Sequence, residues 1–213
     1  MKYAPIAVLA CLAIGVRCAA FAGDITLPAP QKSGGPALFD AIDARGSAGQ
    51  AGFPSGRLDT QDLSTILWSA SGSNRNGEKW TVPMGMGRAP YCKVYVTTAD
   101  GVYLYDWMTH VLRWVSSENV LKDIPMQDFA KDAPAVLYVI ADNPSLADLR
   151  QPDLAAEWCG VLAGAMSQNI YLACEGVNVG TRLIYSINRD EAAKRFKLAQ
   201  GEVPLFAMPM GKK

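Results

Sequence analysis

Apolar residues recur at helical spacing in some stretches of the chain and alternate or run together in others, which predicts a mixture of helices and strands. Leu38, Phe39 and Ile42, following Pro36, predict a short amphipathic helix that Gly46 is placed to end. Leu63, Ile66, Leu67 and Ala70 predict a second helix, with Asp59 or Thr60 as its N-cap. The polar run SGSNRNGEK after it reads as a loop. KVYVTT, GVYLYD and VLRWVS alternate or are rich in β-formers, and Ala99-Asp100-Gly101 and a Trp107-to-His110 turn separate them, so they predict an antiparallel meander. Ala135 to Ala141 is continuously apolar and reads as an interior strand. Asn188 with Glu191 three residues later marks a helix start before Ala192, Ala193 and Phe196. The last strand falls near Pro204 to Met210, and its two prolines predict an edge or irregular strand.

One stretch stands apart from this alternation. From Trp158 to Cys174 no residue is charged, so a helix over about Ala155 to Cys174 must be buried around most of its circumference. A bilayer crossing needs roughly 20 apolar residues. Here Ser167, Gln168 and Asn169 interrupt the run and Gly160, Gly164 and Ala165 thin it, which favours a buried helix of a soluble domain. Small residues at 156, 160, 163 and 164 would let another helix come close, either within the chain or from a second copy.

Composition narrows the classes. The chain has 213 residues with 20 basic and 20 acidic side chains, which suits one domain and gives no basic surface for nucleic acid. Residues 1–22 look like a signal peptide: Lys2 precedes a mostly apolar Ala4 to Val16, and Ala20-Phe21-Ala22 offers a cleavage site before Gly23. Export to the periplasm or medium is the expectation, with no transmembrane span after cleavage; the alternative is a cytoplasmic protein with a disordered extension. Residues 23–34, rich in Pro and Gly, read as a poorly packed linker ahead of a domain over 35–213. Cleavage would leave Cys92, Cys159 and Cys174, an odd number without metal-like spacing. Cys159 and Cys174 read as small buried hydrophobes, and Cys92 lies in a loop-like run where a reactive thiol would be accessible.

Side chains alone do not compose a catalytic apparatus. His110 is the one histidine and falls in a turn, so a histidine-based triad or metal site is not expected. No P-loop is present, and PMGMGR falls short of a dinucleotide fingerprint. An enzyme built on this chain would take its difficult chemistry from a cofactor.

The order of LSTILWSASGSNR, the uncharged helix, SINRDEAAKRFKL and GEVPLFAMPMG resembles the nitroreductase family of flavoproteins over roughly Gly35 to Lys213, near its azoline dehydrogenase branch. The resemblance implies an α+β fold with a central, mostly antiparallel sheet flanked by helices and a long buried central helix. It also implies an obligate homodimer that binds FMN and transfers hydride between a reduced nicotinamide dinucleotide, or another donor, and a small organic acceptor. The family's Arg-x-Ser-x-Arg/Lys phosphate grip matches Arg45 and Ser47, with Gly49 in place of the second cation. Its Pro-Ser-x-x-Asn loop corresponds to 83–88, where Gly85 and Gly87 allow close backbone approach and Arg88 reads either as a solvated arginine at a strand entrance or as a substitute phosphate cation; the serine and asparagine are absent. The turn after the long helix maps to 181–185, with Leu183 and Ile184 as the backbone contacts to the flavin, and Lys212 loosely fits a late phosphate cation. Two rival readings remain: a binding protein that has lost tight flavin binding, and a flavoenzyme that oxidises a peptide heterocycle or another secreted substrate.

Overall fold

The computed structural model describes residues 23–149 and 151–213, apart from the side chains of Met86 and Pro152. The expected signal peptide lies outside the described residues. The elements, in chain order, are β1 (Ile25–Thr26), α1 (Leu38–Ala44), α2 (Thr60–Ser71), β2 (Ser73–Asn74), β3 (Lys79–Trp80), β4 (Cys92–Thr98), β5 (Gly101–Asp106), β6 (Val111–Ser116), α3 (Asp128–Lys131), β7 (Ala135–Asp142), α4 (Ala155–Gly176), β8 (Val179–Thr181), α5 (Arg189–Arg195) and β9 (Glu202–Lys212). The strands other than β2 and β3 form one sheet in the order β1-β6-β5-β4-β7-β9-β8, antiparallel at every junction. The architecture is α+β, as expected.

At β7 the sheet is buried on both faces, which explains why that strand reads as a solid apolar run. Leu137 and Val139 belong to the core shared with α2 and α4, whereas Val136, Tyr138 and Ile140 belong to the core shared with α3 and α5. Asp59 caps α2 in a reciprocal capping box with Asp62, and Ile66, Leu67 and Ala70 face the core without exposed surface. Cys159, Leu162, Ala163, Met166, Ile170 and Cys174 bury one stripe of α4 at helical spacing. Each large side chain so buried contributes about 1.5–3 kcal/mol.

Several expectations need correction. The strand with two prolines is interior, between β7 and β8. The ladder shifts register between Val139 and Ile140, where Pro204 pairs, and such an irregularity accommodates a missing donor. Ala207 directs its N–H to Ile184, so by alternation position 209 faces the same side, where the chain between Thr181 and Ile184 has left the ladder. The run 73–80 forms the small β2–β3 hairpin instead of a plain loop. The stretch expected as a poorly packed linker pairs β1 with β6, buries Leu27, and ties Gln31 N–H to Thr65. Cys92 opens β4 with 2% exposure and donates to the Cys159 carbonyl, so it is no accessible thiol. Its hydrogen bond with Cys159, with burial second, raises its pKa. Finally, α4 is not covered all round: Ala156, Gly160, Val161, Gly164 and Gln168 are bare, and nothing lies within 4 Å of a Cβ built at either glycine.

His110 is structural. Its Nε2 lies 2.8 Å from Ser64 Oγ and 3.1 Å from the Pro28 carbonyl, and its Nδ1 lies 2.9 Å from Tyr105 OH. Ser64 donates its own proton to the Pro28 carbonyl, so the neutral Nε2–H tautomer satisfies the set. Burial lowers the imidazole pKa below its ordinary 6.5. The unfolded chain therefore takes up this proton first, and stability that is complete above pH 6.5 declines as pH falls through the folded value. His110→Gln is expected to flatten the fall in Tm between pH 7 and pH 5, measured by thermal melts; an unchanged slope would place that dependence elsewhere.

Candidate functional site

The site begins where α1 ends. Arg45 donates its N–H to the Ala41 carbonyl at 3.0 Å, then turns extended, and the chain runs through Gly46 and Ser47 alongside the end of β8. Ala48 N–H donates to the Thr181 carbonyl at 2.9 Å, and Arg182 Nη1 donates to the Ala48 carbonyl at 3.1 Å. These two bonds fix the 45–48 segment against 181–182.

Tyr171, on the last turns of α4, links the pieces. Its hydroxyl accepts from the Leu183 N–H at 2.7 Å and lies 3.0 Å from Ser47 Oγ. With the tyrosine proton directed to Ser47, the serine's own proton is left to donate outward. The Arg45 guanidinium carbon stands 5.2 Å from the Tyr171 ring centroid, a cation–π distance. Ser47 is exposed, and Arg45 and Arg182 are half-buried. Among the described residues neither arginine is in a salt bridge, so the cluster holds two cations and a hydroxyl without a neutralising carboxylate contact. That donor set suits a phosphate monoester.

The other expected positions are distributed differently. Gly49 lies just beyond the cluster and is exposed. Leu183 sits in the cluster with its amide bonded to Tyr171, whereas Ile184 is 3% exposed and exchanges both backbone bonds with Ala207. Lys212 places its ammonium 2.7 and 2.8 Å from the two Asp62 oxygens and gives its N–H to the Gly56 carbonyl. Gly85 and Gly87 bound a tight turn on the Trp158 indole: a Cβ at Gly85 would be 2.7 Å from that ring, and Gly87 has a φ of 68°. Arg88 is paired with Asp148 at 2.8 Å. Trp158 and Tyr171 are thirteen residues apart on α4, so within one chain the Gly85 turn and the Arg45 cluster are roughly 20 Å apart. Among the described residues no three or more His, Cys, Asp or Glu side chains are grouped so that they could hold a metal ion. No helix among them is long and apolar enough to cross a membrane.

Against known proteins, the family model described as "Nitroreductase family" matches residues 53–212. The chain belongs to the nitroreductase family. Arg45, Ser47 and Gly49 lie upstream of the matched span. Among solved structures, a candidate nitroreductase of Ralstonia eutropha JMP134 is 28% identical with a TM-score of 0.81, covering 100% of this chain and 98% of that one. The Escherichia coli microcin synthetase McbBCD, solved with truncated pro-MccB17, matches with a TM-score of 0.68 at 16% identity over 86% and 76% of the two chains. A candidate NAD(P)H:FMN oxidoreductase of Staphylococcus epidermidis matches with a TM-score of 0.61 at 13% identity over 86% and 91%. The last two likenesses show the shared fold. A search of curated proteins gave no match.

Tyr171 and Arg182 are the cluster members that the sequence does not single out. Tyr171 passes for a core aromatic of an apolar helix. Arg182 carried a signal, because it is the one charged residue between Glu175 and Arg189. Only the fold shows that it faces Ala48.

Proposed function

We propose that this nitroreductase-family protein is an exported, homodimeric, FMN-dependent oxidoreductase. The observation that carries the reading is the convergence of Arg45 and Ser47 on an anion-ready surface beside the turn after the long helix. Arg45 would hold the flavin phosphate by charge-assisted hydrogen bonds and Ser47 would add a neutral donor. The Leu183 backbone, positioned by Tyr171, would lie beside the ring system. When bound, the flavin supplies hydride acceptance and donation, so the chain need contribute only binding, orientation and exclusion of water. The donor would be a reduced nicotinamide dinucleotide or, since such dinucleotides are scarce outside the cytoplasm, another reductant.

A homodimer is supported by the apolar surface that one chain leaves bare. Leu38, Phe39 and Ile42 on α1 are 62%, 81% and 48% exposed, and Val161 on α4 is 71% exposed. A two-fold axis across α4 near Gly164, midway between Trp158 and Tyr171, would bring the Gly85 turn of one copy to the Arg45 cluster of the other. The site would then be complete only in the pair.

A second reading takes a peptide heterocycle as the substrate, supported by the fold shared with the peptide-bound microcin synthetase. Reduction of the bound flavin by a reduced nicotinamide dinucleotide, compared with oxidation of heterocyclic peptides, separates the two.

Arg45→Ala is expected to weaken FMN binding roughly ten- to a hundred-fold, because hydrogen bonds to charged groups contribute about 1.5–3 kcal/mol. Gly49→Arg is expected to strengthen it. Flavin-fluorescence titration of folded variants checks both, and unchanged affinity in Arg45→Ala would reject the phosphate assignment.

A further inference from the structure

We propose that Arg182 is a second phosphate-binding cation and supplies the positive charge that position 49 lacks; this rests on the flavin reading above. Three features of the structure carry it. The Arg182 guanidinium spends one donor on the Ala48 carbonyl at 3.1 Å, leaving the rest of its five N–H groups without a partner among the described hydrogen bonds. The adjacent bond from Ala48 N–H to the Thr181 carbonyl holds its base against the Ser47–Ala48 peptide, so its position relative to the serine hydroxyl is fixed by the backbone. And among the described residues no carboxylate pairs with it, although most other half-buried cations of this chain are paired: Arg88 with Asp148, Lys93 with Asp142 and Glu202, Arg195 with Glu118 and Glu191, and Lys212 with Asp62.

That contrast matters because a half-buried guanidinium has lost part of its hydration, and a cation in such a position normally gains a counter-charge. Among the described residues Arg45 and Arg182 are the exceptions, and both attach to the same five-residue stretch: Arg45 begins it, and Arg182 holds Ala48 within it. A phosphate placed outside the Ser47 hydroxyl would neutralise both. Gly49, exposed and without a side chain, supplies no cation there itself. The arginine would also make the site discriminate: a ligand bearing a phosphate monoester gains the pairing, and the same ring system without phosphate does not.

The test compares FMN with riboflavin on the purified full-length protein, in the wild type, Arg182→Ala, Arg182→Lys and the double variant Arg182→Ala/Gly49→Arg. Arg182→Ala is expected to weaken FMN binding roughly ten- to a hundred-fold. Riboflavin affinity is expected to stay within about two-fold, since neutral ligands do not use the charge. Arg182→Lys should recover part of the FMN preference, and Gly49→Arg should restore it in the Arg182→Ala background. Equal losses for FMN and riboflavin would overturn the proposal and make Arg182 a brace for the Ala48 carbonyl. Unchanged FMN affinity in Arg182→Ala, with Arg45→Ala impaired, would overturn it while leaving the flavin site standing. A wild type that binds neither ligand would take down the flavin reading and this inference together.

Discussion

Lys212→Met is expected to destabilise the protein by about 3 kcal/mol while leaving FMN affinity within about two-fold of the wild type. Asp62 exposes only 8% of its side chain, and Lys212 contacts both of its oxygens. Removing the lysine leaves a nearly buried carboxylate without its cation, and breaking a buried pair from one side costs about 3–5 kcal/mol. The lower end applies because the lysine side chain is 36% exposed and its attraction is partly screened. Methionine keeps most of the apolar stem, so lost packing adds little. The same carboxylate accepts from the Asp59 N–H in the capping box of α2, which couples the end of β9 to the start of that helix. Urea unfolding reads the loss as a lower midpoint. Unchanged stability with a large fall in FMN affinity would instead make Lys212 the phosphate cation that the family resemblance suggested.

Val161→Arg is expected to raise the dimer dissociation constant by on the order of a hundred-fold or more, about 2.8 kcal/mol. Val161 is 71% exposed on the bare side of α4, one helical turn from both Gly164 and Glu157. In an isologous contact across α4 each copy would bury its own arginine close to the other's, so like charges meet where water is excluded. Within one chain the substitution meets only solvent, and the monomer's own fold should tolerate it. Analytical ultracentrifugation across micromolar concentrations measures the shift. A wild type that stays monomeric there would remove the dimer, and with it the completion of the site by the Gly85 turn.

How much of this was legible in the sequence follows from the range of each signal. Local signals held: Asp59, one of the two candidate caps, caps α2, Asn188 caps α5 as its spacing to Glu191 predicts, and the meander follows its alternation. The interior strand β7 was legible because burial on both faces leaves no polar position. The α4 pattern was only half legible, since an uncharged helix reads the same whether its second face meets its own chain or another copy. Interior placement of β9 was masked by Pro204 and Pro209, whose missing donors the register shift and the gap in β8 accommodate. In the candidate cluster, Arg45 and Ser47 are named by the family resemblance, whose phosphate-grip motif is a continuous stretch of sequence. Tyr171 and Arg182 could not be found this way, because their roles depend on contacts spanning 124 and 134 residues.

The visible absorption spectrum of freshly purified full-length protein, followed by titration of FMN into it, tests the central claim most directly. The account predicts a flavin spectrum on the isolated protein or saturable FMN binding that Arg45→Ala weakens. A colourless, folded protein that takes up no FMN at micromolar concentrations would contradict it and favour a nitroreductase fold that binds its partners without a flavin.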